Sequence, residues 1–227
     1  MKASIIIRTK NEQKWLGTVL EMLEKQTEKD FETIIVDSGS NDKTLEIAES
    51  YSKKLNLKIY RIGPDEFTYP FACNFGASKT SGEYLVFISG HSVPINNQWL
   101  KSGLRDFTDE KIAGVYGTVH ALPDASIWEK IYYGFNRLLP NKKQLIRKAR
   151  IGVLGNTNAV IRKTLWENFH FDENLKSGGE DTNWARHYLE SGYLIVRDPA
   201  FAVYHSHGLG LIKFLKQIKY WHSISGR

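Results

Sequence analysis

Short runs of apolar, β-branched residues recur through the first half of the chain, and each run ends in a polar cluster. Such runs are typical of strands that are buried on both faces of a sheet. They predict strands at residues 4–7, 31–36, 58–62 and 84–88. Helical segments lie between them, so the order of elements indicates an open, Rossmann-like, mostly parallel α/β sheet with helices on both faces.

The segment after the first strand predicts an amphipathic helix. Its apolar residues recur at i, i+1, i+4, i+5 and i+8, namely Trp15, Leu16, Val19, Leu20 and Leu23. This spacing lies along one face of a helix. Asn11 precedes the stripe, and its side chain is a suitable N-terminal cap. Two further helices are predicted at residues 42–55 and 71–79.

The second half of the chain contains no repeat and no Ser/Gly-rich linker, which predicts one continuous domain over residues 1–227. Strands are predicted at residues 115–121, 155–161, 194–196 and 201–204. A short helix is expected at residues 162–169, and a longer one from Glu180 to about residue 191.

Charge and cysteine content limit the classes of function. The net charge of +6 suits anionic partners such as nucleotides, nucleic acid or an acidic membrane surface, although many proteins are mildly basic without one. Cys73 is the single cysteine, which excludes an internal disulfide and favours a reducing compartment. No apolar run reaches ~18 residues, and the N-terminus lacks the apolar stretch of a signal peptide. We therefore expect a cytoplasmic protein.

Polar clusters follow three of the predicted strands, at residues 9–12, 37–42 and 89–92. In open α/β sheets, ligands bind beyond the carboxyl ends of the strands. Asp37 can accept a hydrogen bond from a nucleotide base or a ribose, although Asp and Ser here are equally good helix caps. The dinucleotide fingerprint, the phosphate-binding loop and the nucleophile elbow are all missing from the sequence. Hydride transfer, P-loop phosphoryl transfer and hydrolysis by such an elbow are therefore disfavoured.

The combination of several segments resembles the family-2 inverting glycosyltransferases. The matching segments are residues 5–12, 34–44, 74–77, 82–87 and 179–181, followed by Trp184 and Gly192. They occur in the family's order and span about residues 3 to 207. The resemblance implies a GT-A fold, a nucleotide-sugar donor and a divalent cation, Mn²⁺ or Mg²⁺. It also implies a nucleotide-sugar-binding half at residues 1–95 and an acceptor and catalytic half at residues 96–208.

The resemblance assigns residues to the donor site. Thr9, Glu12 and Asp37 are expected to line the nucleotide pocket, with Asp37 as the contact to base or ribose, and Asn74 and Ser89 are expected to belong to the same site. Cys73 occupies a position that is often arginine in the family, so Lys79 or Arg8 would have to replace that phosphate contact.

The chain departs from the family at the metal motif. Residues 89–94 lie where the family has its Asp-x-Asp motif, but Ser89 and His91 occupy the two acidic positions. Imidazole is a competent ligand for Mn²⁺, whereas Mg²⁺ favours oxygen. One of His205 and His207, preferably His207, is expected to complete the site with His91. The alternative is that His91 is only a polar loop residue and that no metal binds.

Residues in the second half are expected to carry the chemistry. By resemblance, Asp181 is the catalytic base that takes the proton of the acceptor hydroxyl, and Glu180 orients the acceptor or holds the loop. Two acids at a helix start are also favoured simply by the helix dipole. Acceptor contacts are expected from Asn156, Asn158 and Trp184, although paired amides also satisfy backbone groups at a strand edge.

The C-terminal segment predicts an amphipathic helix at residues 209–222. One arc carries Leu211, Ile212, Phe214, Leu215, Ile218 and Trp221, while Lys213, Lys216 and Tyr220 face the other way. Such a basic helix either lies on an anionic membrane surface or packs back on the domain. Residues 126–150 mix aromatic and basic side chains, which suits an acceptor groove or a lipid contact. No recognisable nucleic-acid module accompanies them, so no nucleic-acid partner is expected.

Together these features predict an inverting glycosyltransferase that moves a sugar from a UDP- or dTDP-sugar to a glycan or lipid-linked acceptor, in the synthesis of a bacterial surface polysaccharide. The enzyme would be cytoplasmic, with peripheral contact to the inner face of the membrane. A catalytically silent sugar-nucleotide or glycan-binding relative is the second hypothesis. A membrane-surface scaffold that uses the C-terminal helix is the third. The sequence indicates no oligomeric state.

Overall fold

The computed structural model of the chain describes residues 2–135, 141–149 and 152–225. Its strands are β1 (Ala3–Thr9), β2 (Phe31–Asp37), β3 (Leu57–Arg61), β4 (Tyr84–Ser89), β5 (Val93–Pro94), β6 (Ile112–His120), β7 (Gln144–Ile146), β8 (Asn158–Arg162) and β9 (Leu194–Tyr204). Its helices are α1 (Leu16–Glu24), α2 (Thr44–Ser50), α3 (Tyr69–Ser78), α4 (Trp99–Leu104), α5 (Ile127–Gly134), α6 (Lys163–Asn168), α7 (Glu180–Glu190) and α8 (Leu211–Ser225).

The strands form one sheet in the order β3-β2-β1-β4-β8-β6-β9-β5, with β7 paired to β9. The half made by β3, β2, β1 and β4 is parallel, as the alternation of strand and helix predicted. Strand β8 joins this half to β6 through antiparallel pairings, and β6 runs parallel to β9. The register places Thr9 beside Asp37 and Arg8 beside Ser89, so the polar strand ends meet at one edge of the sheet.

Each face of the sheet is covered by a separate apolar core. Ile5 and Ile7 face a core that includes residues of α1 and α4, among them Leu20 and Trp99. Ile6 points to the other face, where α3, α6 and α7 pack. This alternation follows from the two-residue period of a strand, and it explains the uninterrupted apolar runs within β1, β2 and β4.

Two local predictions are wrong. Asn11 does not cap α1, which begins at Leu16 and has no side-chain cap; Asn11 instead adopts a left-handed φ of 55°, and its side chain accepts a hydrogen bond from the Asn41 N–H. The strands predicted at residues 194–196 and 201–204 are one strand, β9. Its register against β6 shifts between Gly117 and Val119. The extra residues of β9 at this shift, which include Pro199, form a bulge, so the strand continues past the proline.

Gly117→Ala is expected to destabilise the fold by about 4 kcal/mol or more. A Cβ atom on Gly117 would lie 1.1 Å from the carbonyl oxygen of Phe201, so the pairing of β6 with β9 would have to open. Gly134→Ala, at the end of α5, is the matched control because its Cβ meets nothing within 4 Å. It should change stability by less than about 1 kcal/mol. Urea denaturation of both variants checks this, and equal midpoints would contradict it.

Candidate active site

A cleft of about 580 Å³ lies at the carboxyl ends of the parallel strands. Its walls come from the ends of β1 and β4, from the loop after β2, and from the segments that precede α3 and α7. Helix α8 and the segment between β9 and α8 close the remaining side. The cleft therefore brings together loops that are distant in sequence, at the edge where such sheets bind ligands.

The loop after β2 is organised around the carboxylate of Asp37. This buried group accepts hydrogen bonds from Thr9 Oγ1 (2.9 Å), from the N–H groups of Gly39 (3.1 Å) and Ser40 (2.9 Å), and from the Ser40 hydroxyl. Thr9 and Ser38 line the cleft, whereas Asp37 lies behind them. The structure thus brings Thr9 and Asp37 together, with Asp37 holding the shape of the loop.

Three histidines meet in the wall of the cleft. The potential ligand atoms of His91, His205 and His207 all lie within 4.8 Å of one another. The rings of His91 and His205 stack at 4.3 Å, and His207 stands edge-on to both. The sequence left the choice between His205 and His207 open. The structure places both beside His91.

Hydrogen bonds occupy one nitrogen atom of His91 and one of His205. His91 Nδ1 lies 2.8 Å from Glu12 Oε1, whereas His91 Nε2 is buried and has no hydrogen-bond partner among the described residues. His205 Nδ1 lies 3.2 Å from the Ser89 hydroxyl and 3.3 Å from that of Ser92. Each bond on Nδ1 leaves the Nε2 atom of the same ring available for a ligand.

Burial also favours the metal-binding form of His205 and His207. It lowers the pKa of His205 well below its ordinary value, and the neighbouring imidazoles lower it further. The pKa of His207 is lowered by burial and by His91 as well. Neutral imidazole is the ligating form. Three nitrogen donors with a buried, unpartnered Nε2 fit a divalent cation such as Mn²⁺ better than Mg²⁺, which prefers oxygen.

Two carboxyl groups lie at the start of α7 and line the same cleft. Asp181 Oδ2 accepts from the backbone N–H of Asn156 (3.2 Å), and its Oδ1 accepts from the N–H (2.6 Å) and hydroxyl (3.2 Å) of Thr182. Glu180 Oε1 accepts from Asn156 Nδ2 at 3.1 Å, whereas its Oε2 is buried and has no hydrogen-bond partner within the described part of the chain. Asn156 therefore positions both acids and is itself buried in the cleft wall.

The two acids differ in their surroundings. Burial, followed by the charge of Asp181, raises the pKa of Glu180 to about 7. Burial also raises the pKa of Asp181, but hydrogen bonds from Asn156 and Thr182 oppose that rise by stabilising its charged form. Asp181 thus has three donors for its carboxylate, while Glu180 has one.

Glu180→Gln is expected to raise the melting temperature at about pH 8 and to change it little at about pH 5. The folded protein holds the Glu180 proton up to about pH 7, whereas the unfolded chain releases it near about pH 4.3. Ionised Glu180 is less stable in the folded protein than in the unfolded chain, so the free energy of unfolding falls as the pH rises between these two pKa values. Glutamine does not ionise and therefore removes this loss of stability. Circular-dichroism melts at both pH values check this, with the exposed Glu110→Gln as control. A shift that does not depend on pH would contradict it.

Arg8 is a cation in the wall of the cleft, which Lys10 also lines. Its Nη2 donates to the backbone carbonyl of Asn156 at 3.1 Å. Its guanidinium lies 5.6 Å from the centre of the Tyr69 ring. Its Nε is a buried donor without a partner among the described residues. The ammonium group of Lys79 lies over the ring of Phe75 instead, and Lys79 does not line the cleft. Cys73 is buried beneath Asn156.

Besides Asp37, three of the expected site residues do not line this cleft, namely Asn74, Asn158 and Trp184. Asn74 donates to Phe171 O and to Glu173, both at 2.9 Å, and accepts from Trp166. Trp184 is fully buried in the core, and its indole N–H donates to the Phe169 carbonyl. Asn158 accepts from the Trp99 indole and donates to Phe201 O. It also borders a second cavity of about 460 Å³ that shares part of its wall with the cleft.

The sequence did not indicate several residues that line the cleft. Phe67 and Tyr69 precede or begin α3, and Gln217, Tyr220 and Trp221 lie on α8. The Tyr220 hydroxyl donates to the Ser177 carbonyl, which ties α8 to the segment before Glu180. The single apolar arc predicted for this helix is divided, because Phe214 is buried while Leu211, Ile212 and Leu215 are exposed.

Comparisons with known proteins agree with this geometry. The family model described as glycosyl transferase family 2 matches residues 4–169. The chain is 28% identical over 214 residues to the poly(ribitol-phosphate) beta-N-acetylglucosaminyltransferase TarS of Staphylococcus aureus, an overlap of 88% of this chain and 35% of TarS. It is 26% identical over 216 residues to the O-antigen chain rhamnosyltransferase RfbN of Salmonella typhimurium, covering 91% of this chain and 67% of RfbN.

Solved structures show the fold. The crystal structure of S. aureus TarS in complex with UDP-GlcNAc matches with a TM-score of 0.68 at 23% identity, over 93% of this chain and 60% of that one. The mannosyltransferase PcManGT from Pyrobaculum calidifontis, in complex with GDP-Man and Mn²⁺, matches with a TM-score of 0.69 at 18% identity, over 90% of this chain and 56% of that one. The predicted GT-A fold is thus confirmed. The chain spans about a third of TarS, and no helix among the described residues is long and apolar enough to cross a membrane.

Proposed function

The chain belongs to glycosyl transferase family 2, and we propose that it is an inverting glycosyltransferase. It moves one sugar from a nucleoside diphosphate donor to a hydroxyl of a glycan or lipid-linked acceptor in cell-surface polysaccharide synthesis. The observation that carries this proposal is the cleft itself, in which the acids Glu180 and Asp181 share one cavity with the cluster of three histidines.

Asp181 is the catalytic base. Its carboxylate takes the proton of the acceptor hydroxyl while the acceptor oxygen bonds to the anomeric carbon of the donor sugar. The bond from that carbon to the diphosphate breaks in the same displacement, and its electron pair leaves with the nucleoside diphosphate. One base and one displacement invert the configuration at the anomeric carbon. The three hydrogen bonds that Asp181 accepts from Asn156 and Thr182 hold its carboxylate in place.

His91, His205 and His207 would hold a divalent cation, which supplies charge stabilisation to the departing diphosphate when bound. Glu12 keeps His91 in the tautomer that directs Nε2 into the cluster. The hydroxyls of Ser89 and Ser92 do the same for His205. The chain thus replaces the acidic metal motif of its family with nitrogen ligands, and a manganese-bound neighbour supports a cation in this fold.

The donor occupies the side of the cleft formed by β1 and the loop after β2. Arg8 offers its unpartnered Nε to a phosphate oxygen, and the rings of Phe67 and Tyr69 offer apolar surfaces to the donor. Thr9 and Ser38 border the nucleotide. The Asp37 carboxylate already accepts four hydrogen bonds. It can therefore contact the base or ribose only if a hydrogen bond from the ligand replaces one of these four.

The acceptor occupies the side of the cleft nearer α8. We propose a glycan or lipid-linked acceptor because two relatives are named for such acceptors. TarS is named for a poly(ribitol-phosphate), and RfbN is named for an O-antigen chain. A soluble nucleotide-sugar donor and a lipid-linked acceptor together place the enzyme in the cytoplasm, at the inner face of the membrane. Asn158 and the second cavity lie behind this side of the cleft.

Calorimetric titration of UDP, dTDP and GDP, each with and without Mn²⁺, tests the proposal. One of the three should bind, and Mn²⁺ should strengthen its binding because a cation held by the histidines would attract the negative charge of the diphosphate. The matching nucleotide sugar should then be hydrolysed slowly when no acceptor is present. Nucleotide binding without any hydrolysis would favour the catalytically silent relative. The absence of binding to all three would overturn the donor assignment.

A further inference from the structure

Helices α5 and α8 expose a group of large apolar side chains, which we call the α5–α8 surface. Its eight members are between 39% and 72% exposed, namely Ile127, Trp128, Ile131, Tyr132, Phe135, Leu211, Ile212 and Leu215. They account for most of the exposed large apolar side chains among the described residues. A clustered group of this kind on a folded protein marks an interaction site rather than ordinary surface.

The two helices are fixed to one another. Phe214 of α8 is buried and stands edge-on to the Tyr132 ring of α5, with 5.4 Å between ring centres. The buried carboxylate of Glu129 in α5 accepts from the backbone N–H of His207 (2.8 Å) and of Leu209 (3.1 Å), just before α8 begins. The exposed side chains on either side of these contacts therefore form one continuous region, not two independent helices.

The exposed charged side chains of α5 and α8 are lysines. Lys130, Lys213, Lys216 and Lys219 are exposed and form no ion pair among the described residues. In sequence, residues 126–166 and 199–227 contain thirteen Lys and Arg but only one acid, Glu129. The carboxylate of Glu129 accepts hydrogen bonds from backbone N–H groups. The rest of the chain has eighteen Lys and Arg against 24 acids. The two helices themselves contain four of these thirteen, Lys130, Lys213, Lys216 and Lys219, against the single acid Glu129.

We propose that the α5–α8 surface docks on an anionic lipid bilayer. Lysine is depleted from the cores of protein–protein interfaces because its ammonium is costly to dehydrate. At a bilayer, its long stem lies along the apolar boundary while the ammonium stays among the head groups. On α8, Lys216 and Lys219 share the outward arc with Ile212 and Leu215, which suits that boundary. Trp and Tyr side chains on α5 suit it as well.

Docking would bring the cleft to the membrane. Helix α8 exposes Ile212 and Leu215 on its outer side, while Gln217, Tyr220 and Trp221 line the cleft. A lipid-linked acceptor held in the same bilayer would therefore enter the cleft alongside α8. This last step rests on the proposed function. The docking itself does not, because it uses no residue that binds donor or metal.

Vesicle co-sedimentation of the full chain tests the docking. The probes are vesicles of phosphatidylcholine alone and of phosphatidylcholine with phosphatidylglycerol, each at low and high salt. We expect binding to the anionic vesicles only, weakened but not abolished by high salt because the apolar contacts remain. Lys216→Glu with Lys219→Glu should lower this binding by about tenfold or more, since each lysine near an anionic surface contributes substantially.

Two controls separate docking from general effects. Lys53→Glu with Lys111→Glu makes the same change in net charge at exposed sites outside this surface and should leave vesicle binding nearly unchanged. Ile212→Ser with Leu215→Ser should remove the binding that survives high salt, while circular-dichroism melts report whether each variant is folded. Equal losses in the two lysine pairs would overturn the proposal. So would the absence of vesicle binding, or self-association through this surface in sedimentation velocity. If the protein binds vesicles but binds no nucleotide, the docking proposal stands and only the proposed glycosyltransferase function is contradicted.

Discussion

Asp181→Asn is expected to lower the rate of sugar transfer by about 10²–10⁴-fold while nucleotide binding persists. The asparagine keeps the size of the side chain, and its carbonyl oxygen still accepts one of the hydrogen bonds from Asn156 or Thr182 that hold Asp181. It cannot accept the proton of the acceptor hydroxyl. The loss should therefore appear in kcat, because the transition state depends on this proton transfer more than the bound substrates do.

Transfer assays and calorimetry on the same preparation separate the two effects. Transfer should fall, and the dissociation constant of the nucleotide that binds the wild type should stay nearly the same. Asp30→Asn, at an exposed position before β2, is the control and should transfer sugar at the wild-type rate. Retained transfer by Asp181→Asn would remove Asp181 from its role. Transfer that disappears together with nucleotide binding would show damage to the cleft instead.

Glu180 is a weaker candidate for the base because the structure surrounds it differently. Its carboxyl group is buried, has one donor in Asn156 and a pKa raised to about 7, so near neutral pH part of the population carries a proton. A protonated acid cannot take the acceptor proton. Glu180→Gln should accordingly cost much less transfer activity than Asp181→Asn, and the same assay compares them.

The parallel half of the sheet could be predicted from the sequence because its strands are buried on both faces. That environment selects continuous apolar runs, and the polar residues that follow each run mark the strand ends. The antiparallel part gave weaker signals. Strand β9 contains Pro199 near its middle, and a local pattern cannot reveal that a bulge opposite Gly117 lets the strand continue.

Adjacent residues and family resemblance together predicted much of the site. Glu180 and Asp181 are adjacent in sequence, and the resemblance brought one of His205 and His207 to His91. That both histidines lie beside His91 could not be predicted, because His205 is placed by hydroxyls of Ser89 and Ser92, more than a hundred residues away. The inner side of α8 was missed for a related reason. A helical pattern shows that a helix has an apolar side, but it does not show which of those residues a neighbouring element covers.

His91→Ala is expected to weaken Mn²⁺ binding by at least about 10–100-fold, since loss of even a residue that supports a metal ligand typically has an effect of that size. The variant removes the one ring whose Nε2 is buried without a partner and whose Nδ1 is fixed by Glu12. Two imidazoles would remain, too few to hold a cation firmly without the diphosphate. Calorimetric titration with Mn²⁺ alone measures this, independently of any transfer activity.

Variants around His91 decide whether the cluster binds metal or is merely a set of polar loop residues. Glu12→Gln should weaken Mn²⁺ binding less than His91→Ala does, because it disturbs the orientation of the ring and leaves the ligand present. His187→Ala removes an exposed imidazole that stacks on Phe169 outside the cleft, so it should leave Mn²⁺ affinity unchanged. Equal Mn²⁺ affinity in the wild type, His91→Ala and His187→Ala would reject the metal site.

His91→Asp tests directly whether residue 91 is a ligand of the cation. It places an oxygen ligand where the family has its second aspartate, next to Glu12 and the two remaining imidazoles. Oxygen is the ligand that Mg²⁺ prefers, whereas the wild-type cluster of nitrogen atoms favours Mn²⁺. The ratio of Mg²⁺ to Mn²⁺ affinity should therefore rise in this variant while Mn²⁺ still binds. A ratio that stays at the wild-type value would mean that residue 91 does not ligate the cation, and that the histidines of this wall serve only to shape the cleft.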